Sequence, residues 1–504
     1  MKNYKFTVLL IISGATTGAL QTCVSVPILV FVSIIPLLVM VYKSHTQSEY
    51  HKTLLAFFLP YYFIQSMFLL TVSEIMPLPK LLAIPLAVVA TIALTLWLSL
   101  IMLMPLWFYS KLKRGNPLDF LIFSLLFIVG EWLAEILPFL SFPWSGLWLA
   151  VIYEPVLTQP ASLLGCHFVS LIILLISSAL AYIFCCEKRK EIMGCLLVCF
   201  AFSATAIAYG SNHISSVENS LADKEKVRIM IAQDNIEGLN KSKISSKQAV
   251  KSYISIMEKS WKKDIDLVLL PETAIPSKYK AESKTFKPLV DFAKSHNTTL
   301  LTGCFVKLED KSYNAMYSVT ADGFCHTPYL KQVLVPFGES IPLANLLDLD
   351  TLSGAQRGQN KALLCDDENQ LACVICIESI YPSLVREQML KGGEILCVST
   401  NDSWFSESFA KYAHYRHTIM RAVESGKYTL RAGNCGVSAV ITPWGEQATT
   451  VTRPEKTAIV DDIIPIQSKT LYTYTGDIII LPGCALIILS IIKLLKKKLI
   501  KTPA

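Results

Sequence analysis

Hydrophobic residues run almost without interruption from position 6 to about 210, give way to a mixed pattern from 223 to about 466, and return between 478 and 495. A membrane-spanning helix needs about 20 mostly apolar residues. By that ruler the chain holds about eight spans, near 6–21, 24–42, 54–74, 81–108, 119–139, 163–185, 192–210 and 477–495. The first run reaches "GALQTC" at Cys23, the outline of a lipoprotein processing site. Thr22 stands where such a site wants Gly or Ala, and the apolar run continues through Pro27, so the stretch reads as a helix.

From Lys226 onward short apolar runs alternate with amphipathic stretches. "VRIMIAQ", "IDLVLLPE", "TLLTGCFV", "LACVICIES" and "EILCVSTND" read as strands, while 245–262, 286–295 and "PSLVREQMLKGG" read as helices. "YNAMYSVTADG" and "HTPYLKQVLVPFGES" read as paired β-segments. Strands buried on both faces and alternating with helices predict an α/β domain of layered α-β-β-α type. The predicted division is a seven-helix membrane region over 1–213, a domain over 223–470, and a final helix over 477–495 with a basic tail to 504. The stretch 215–226 reads as the hinge between the first two.

Composition agrees with a membrane protein: 52% of residues are hydrophobic and 17% charged, against nearer a half and a quarter in soluble domains. The net charge of +7 is a topology signal. Lys2 and Lys5, Lys43 and Lys52, Lys111 with Lys113 and Arg114, and Lys188 with Arg189 and Lys190 mark every second loop, and Lys493 and Lys496 to Lys498 mark the tail, whereas 141–162 has neither Lys nor Arg. Cytoplasmic loops are the ones enriched in these residues. Both termini are therefore expected in the cytoplasm and the 223–470 domain outside it. No nucleic-acid partner follows from this charge.

Seven of the fourteen cysteines lie in or beside membrane segments; the outer seven are Cys304, Cys325, Cys365, Cys373, Cys376, Cys397 and Cys435. An odd number in an oxidising compartment leaves at least one thiol unpaired within the chain. Cys373 and Cys376 have redox spacing, but β-branched Val374 and Ile375 favour extended chain, in which residues three apart point to opposite faces. Cys373 then reads as a core thiol. Cys376 has the same structural reading open to it, since free cysteine is often buried. "LVLLPE" ends at Glu272 and "CVICIES" runs through Cys376 to Glu378, so the two side chains can converge beyond the carboxyl ends of the strands, where sheets with helical crossovers bind ligands. A glutamate base, a lysine for developing negative charge and a thiol suffice for acyl transfer through a thioester, with Glu272, Lys331 and Cys376 in those roles.

The order Glu, Lys, Cys resembles the carbon–nitrogen hydrolase (nitrilase) superfamily, and with the membrane helices the chain resembles its apolipoprotein N-acyltransferase family. The similar segments run from "AQDNI" at Ala232 through "LPETAIP", "KQVLVPFGESIP", "RGQN", "ICIES" and "STNDSWFSES" to "RHTIMRAVESGKYTLRAGNCGVSAVITPWGE", ending near Asp477. "GEWLAEILPFLSFPW" resembles the family's membrane part. The resemblance implies Glu272 as general base, Lys331 as oxyanion stabiliser and Cys376 as nucleophile, with Glu339 and Glu378 as supporting carboxylates. It implies an acyl chain passed from a membrane phospholipid, typically phosphatidylethanolamine, to the α-amino group of a diacylglyceryl-cysteine in an apolipoprotein. It implies a bacterial cytoplasmic membrane location, and no cofactor or metal. Two positions depart from the family pattern: Ile377 stands where Tyr is usual, and Ser242 where Trp is usual.

Further substrate contacts are sought at Glu131 and Glu135, four apart in the fifth apolar segment, where interfacial solvation and a lipid ammonium group are the competing readings. Trp144 opens a loop without Lys or Arg and suits headgroup anchoring or a lid; Trp404 of "NDSWF" suits an acyl-chain wall or simple packing. His414 and His417 lack a third ligand and read as polar residues on a helix face. Two rival classes stay open on the residues alone. One is a membrane-anchored amidase or nitrilase acting on a small amide; the other is a transporter or receptor with an outer binding domain and no chemistry.

Overall fold

The computed structural model describes residues 2–501 except 75, 77, 138–140, 237–243, 280–282, 309, 321, 325–326, 337–338, 340–354, 360–362, 367–368, 406–407 and 454. Ser242 and Cys325 thus lie outside the described residues. The chain forms two compact units, Met1–His213 with Thr475–Ala504, and Ile214–Tyr474.

In the first unit every predicted apolar segment is helical. Among the described residues five helices are long and apolar enough to cross a membrane: Gln47–Val72, Lys80–Leu112, Cys166–Ile183, Arg189–Leu221 and Ile478–Lys496. The other three expected spans differ for local reasons. Lys2–Thr22 is diluted by small and polar residues such as Ser13, Thr17 and Gln21, and Ile28–Ser33 and Ile35–Lys43 are two pieces divided at Ile34, where Pro36 starts the second. Leu118–Ile136 carries Asp119, Glu131 and Glu135. Helix starts follow side-chain logic: Thr46 and Glu49 cap each other's backbone N–H groups at the head of Gln47–Ser66.

The expected hinge over 215–226 is replaced in its first half by helix, since Arg189–Leu221 is continuous. Ile214, Val217 and Leu221 recur at helical spacing and pack with Trp444, Ile464 and Ile466, so an apolar stripe extends the helix beyond its membrane run.

The second unit is a four-layer sandwich. One sheet contains β1 (Val227–Gln233), β2 (Leu267–Leu269), β3 (Ile275–Tyr279), β4 (Thr299–Leu308), β5 (Lys311–Thr320), β6 (Gly323–Phe324) and β7 (Tyr329–Leu330). The other contains β8 (Leu364–Cys365), β9 (Gln370–Ile375), β10 (Ile395–Asn401), β11 (Thr429–Asn434), β12 (Ser438–Ile441) and β13 (Gln447–Val451); β14 (Thr457–Ile463) returns to the first sheet, antiparallel to β1. The strand orders are β14-β1-β2-β4-β5-β6, with β3 on β4 and β7 on β5, and β13-β12-β11-β10-β9-β8.

Strand alternation builds the layers. Leu371, Cys373 and Ile375 of β9 face Ile229, Ile231, Leu267 and Leu269 of the first sheet, while Ala372 and Val374 face Val385 and Met389 of the helix Pro382–Leu390. The first sheet's other face packs Met230, Val268 and Leu300 against Ala249, Tyr253 and Met257 of Ser246–Ser260 and Leu289 and Ala293 of Lys287–His296. The central strands β1, β2 and β4 are parallel, as are β9, β10 and β11. Their carboxyl ends therefore lie on common edges of the two sheets.

Candidate active site

The strand β9 stops at Ile375, four residues short of the sequence reading, and Cys376–Ile380 forms a tight 3₁₀ turn. Cys376 takes the left-handed backbone conformation, with φ of 55°. A residue with a β-carbon there costs energy of order 1–2 kcal/mol and persists where its surroundings enforce it. The turn also overturns the expectation that Cys373 and Cys376 diverge to opposite faces, because both pack in the inter-sheet cluster. Both are free thiols.

Glu378 enforces the turn from within it. One of its oxygens accepts the Ile375 N–H at 2.7 Å and the Tyr329 hydroxyl at 2.8 Å; the other accepts the backbone N–H groups of Gln332 and, at 3.1 Å, Val333. This buried carboxylate joins the thiol's turn to the segment that follows Lys331.

Lys331 leaves the end of β7, its own N–H held by the Asn314 carbonyl at 2.8 Å and its carbonyl capped by the Gly358 N–H at 2.7 Å. Its ammonium is buried, 2.8 Å from Glu272 Oε1 and 2.8 Å from Glu339 Oε2. Burial disfavours the cation, but Glu272 and Glu339 outweigh it and hold the lysine well above its ordinary pKa. It stays an ammonium. Asn314 Nδ2 donates to Glu272 at 2.7 Å and to Glu339 at 3.3 Å, and the Asn401 N–H donates to the second Glu272 oxygen at 2.9 Å. Glu339 is further fixed by the Val335 N–H at 2.9 Å.

Glu272 projects from a turn after β2 in which Thr273 has φ of 46°. Gly303 of β4 passes so close that an added β-carbon would sit 2.6 Å from the Pro271 carbonyl oxygen. Burial and the Glu272 charge push the Cys376 thiol above its ordinary pKa, with Lys331 and the Thr400 hydroxyl pulling the other way. The resting group is a neutral thiol beside a carboxylate and an ammonium, able to become a nucleophile as the carboxylate takes its proton.

A second buried cluster lies behind the thiol. Asp402, which opens a 3₁₀ turn after β10, receives the Thr400 hydroxyl at 2.9 Å and Arg431 Nη2 at 2.8 Å, and its Oδ1 lies 2.8 Å from His414 Nδ1. Burial alone would raise its pKa, but Arg431 and His414 lower it to about 2. His414 Nε2 reaches the Cys376 carbonyl oxygen at 3.0 Å. His414 and His417 lie on the helix Ala410–Ser425 as expected, and both are buried.

Asn314, Thr400, Asn401, Asp402, His414 and Arg431 were not among the expected site residues. Asn314 had one signal, an amide directly before the apolar run Ala315–Tyr317. The acidic start of "NDSWF" and the histidine were visible, but nothing in their spacing connects them. Trp404 is 48% exposed. In the membrane unit Trp144 is buried, stacked on Phe142 with ring centroids 5.3 Å apart. Glu131 and Glu135 are also buried rather than solvated at an interface. Glu131 accepts the Leu147 N–H at 2.8 Å and lies 3.5 Å from His167 Nδ1.

Among the described residues no group of three or more His, Cys, Asp or Glu side chains is placed to hold a metal ion.

Comparison with known proteins covers both units. Residues 232–467 match the family model for carbon–nitrogen hydrolase, and residues 13–179 that for the apolipoprotein N-acyltransferase N-terminal domain. The chain is similar to the apolipoprotein N-acyltransferase of Coxiella burnetii, 30% identical over 79% of this chain and 83% of that one. It is likewise similar to that of Methylococcus capsulatus, 28% identical over 74% of this chain and 73% of that one. Among solved structures, Saccharomyces cerevisiae Nit3, a member of branch 10 of the nitrilase superfamily, covers 48% of this chain and 91% of its own at 16% identity and a TM-score of 0.38.

Proposed function

We propose, because this chain belongs to the apolipoprotein N-acyltransferase family, that it N-acylates lipoproteins by passing an acyl chain from a membrane phospholipid through a thioester on Cys376. The observation that carries this reading is the Lys331 ammonium, 2.8 Å from Glu272 and buried beside a thiol held in a strained turn.

In the first half-reaction Glu272 takes the Cys376 proton and the thiolate attacks the ester carbonyl of the phospholipid. The tetrahedral oxyanion forms against Lys331. A second donor follows from backbone geometry. The peptide after Cys376 is trans, and its carbonyl is tied to Ser379 and His414, so the Ile377 N–H points the opposite way. Collapse breaks the ester bond, and Glu272 returns the proton to the leaving lysophospholipid oxygen. In the second half the α-amino group of the diacylglyceryl-cysteine attacks the thioester. Glu272 takes the amine proton, an amide forms, and the thiol is restored. Glu339 and Asn314 keep the lysine and Glu272 in register.

Location follows from the same reading: the cytoplasmic membrane, with the sandwich unit on its outer side, both termini inside, and all eight apolar segments embedded. Both substrates are then anchored in one leaflet, which raises their effective concentration at the site. Trp404, exposed close to Asp402, is the side chain of this unit proposed to meet the acyl chain.

The test is intact-mass analysis of the purified protein after incubation with phosphatidylethanolamine, with Cys376→Ala and hydroxylamine-treated samples beside it. An acyl mass that requires Cys376 and leaves with hydroxylamine is expected, followed by transfer to a diacylated peptide amine. Absence of both adduct and lysophospholipid would overturn the phospholipid donor step; transfer to water alone would return the chain to the amidase class.

A further inference from the structure

We infer that Asp402 and His414 form a positioning pair that fixes the Cys376 carbonyl, and through that peptide aims the Ile377 N–H at the oxyanion; the inference rests on the acyl-transfer reading. His414 comes from the buried face of the helix Ala410–Ser425, and Asp402 from the end of β10, the strand beside β9. Both side chains are fully buried.

The carboxylate is braced before it meets the ring. Thr400 donates to one oxygen and Arg431 to the other, and Arg431 is itself fixed by Thr418 at 2.8 Å and the Val437 carbonyl at 3.2 Å. Gly436 leaves the space, since a β-carbon there would lie 2.0 Å from Asp402 Oδ2. Phe405 sets its ring edgewise to the imidazole, centroids 5.8 Å apart. Arg431 Nη2 also lies 3.1 Å from His414 Nδ1, so the arginine follows both members of the pair.

The ring is oriented by this frame, and its chemistry assigns the role. Nε2 lies 3.0 Å from both the Cys376 carbonyl oxygen and the Ser379 hydroxyl; with the hydroxyl proton given to the carbonyl, which only accepts, both contacts are met by a proton on Nε2. Nδ1 faces the carboxylate. Both nitrogens are engaged away from the sulfur, which leaves His414 no part as a second base. What it can do is hold a peptide. The Ser379 hydroxyl donates to the same carbonyl at 2.9 Å, so two donors from different elements fix one peptide plane at a residue whose own backbone is strained. A plane turned by a few tens of degrees carries the Ile377 N–H off the oxyanion while leaving the thiol in place.

The experiment uses the full-length protein in lipid nanodiscs. Two rates are followed in the wild type, His414→Ala and His414→Gln: single-turnover acyl-enzyme formation from phosphatidylethanolamine across a concentration series, and alkylation of Cys376 by iodoacetamide, which needs no oxyanion donor. The positioning role expects His414→Ala to lower the saturating acylation rate at least tenfold, with the half-saturating phospholipid concentration and the alkylation rate each within about threefold of wild type. His414→Gln, whose amide N–H can meet the carbonyl, should recover most of the loss.

An unchanged acylation rate in His414→Ala, a change confined to the half-saturating concentration, or a many-fold faster alkylation from a loosened site would each overturn the inference. If His414→Ala does not accumulate folded, His414→Gln decides: near wild-type acylation supports the donor role, and a tenfold loss in a folded protein overturns it. Failure of the wild type itself to form an acyl-enzyme would overturn the acyl-transfer reading and this inference with it. A wild-type adduct beside an unaffected His414→Ala overturns this inference alone.

Discussion

Glu378 accepts the backbone N–H of Val333 at 3.1 Å, so the residue two places after the thiol is tied to the residue two places after the lysine. With the N–H groups of Gln332 and Ile375 and the Tyr329 hydroxyl, the two oxygens serve four donors. Glutamine keeps the shape but offers one acceptor oxygen and turns an NH₂ toward two of those donors. Glu378→Gln is expected to cost on the order of 3 kcal/mol of stability and to slow acyl-enzyme formation at least tenfold, read by thermal unfolding and intact mass on the same preparation. Wild-type values for both would show that the tie is incidental.

The two thiols of β9 and its turn should separate cleanly. Cys376→Ala is expected to abolish the acyl adduct while leaving the fold intact. Cys373→Ala removes a sulfur from the inter-sheet core and should cost about 1 kcal/mol with the adduct retained. An adduct that survives Cys376→Ala but is lost in Cys373→Ala would move the nucleophile.

Lys331 is a cation between two carboxylates, so its loss should be felt twice. Lys331→Met leaves Glu272 and Glu339 facing each other in a buried site; removing one partner of a buried ion pair costs roughly 3–5 kcal/mol. Removing an oxyanion donor costs about 10²–10³ in rate. Both effects are expected, in unfolding midpoint and in acylation rate. A variant as stable as the wild type would mean that one carboxylate takes up a proton in the lysine's absence, visible as a new acidic titration in its stability profile.

Asp402 gives a pH dependence of defined sign. Its folded pKa of about 2 lies below the ordinary aspartate value of 3.8, so its contribution is present above about pH 4 and is lost as pH falls through about 2. At 1.36 kcal/mol per unit this amounts to about 2 kcal/mol. Unfolding midpoints between pH 5 and pH 2 should fall in the wild type, and Asp402→Asn should lack that part of the slope. Parallel curves would show that the carboxylate is not held in its ionised form by Arg431 and His414.

The periodicity of the chain was enough to place most elements. Continuous apolar runs became helices, and β1, β4 and β10 lie where β-branched and aliphatic runs predicted strands, because burial of those side chains fixes both period and length. Failures occurred where a short contact overrules local preference. β9 ends at Ile375, against the propensity of "ACVICIES", because Glu378 captures the Ile375 N–H and bends the chain. Helix replaces the expected hinge through Leu221 because Trp444 and Ile464, more than 200 residues further along the chain, supply its apolar partners.

By itself the sequence determined which residue types could do acyl-transfer chemistry and that Glu272, Lys331 and Cys376 belong to or close β-segments, since side-chain chemistry and periodicity are local properties. Only the tertiary structure decided how those groups are held. The Lys331–Glu272 pair, the Asn314 bridge and the contact of His414 with the Cys376 carbonyl join segments far apart in the chain, while the left-handed turn at Cys376, Glu339 beside Lys331 and Asp402 beside His414 are closer contacts that the same packing holds in place. Hydrogen bonds and ion pairs act over about 3 Å, and which groups come within that reach is set by the packing of the two sheets and their helices.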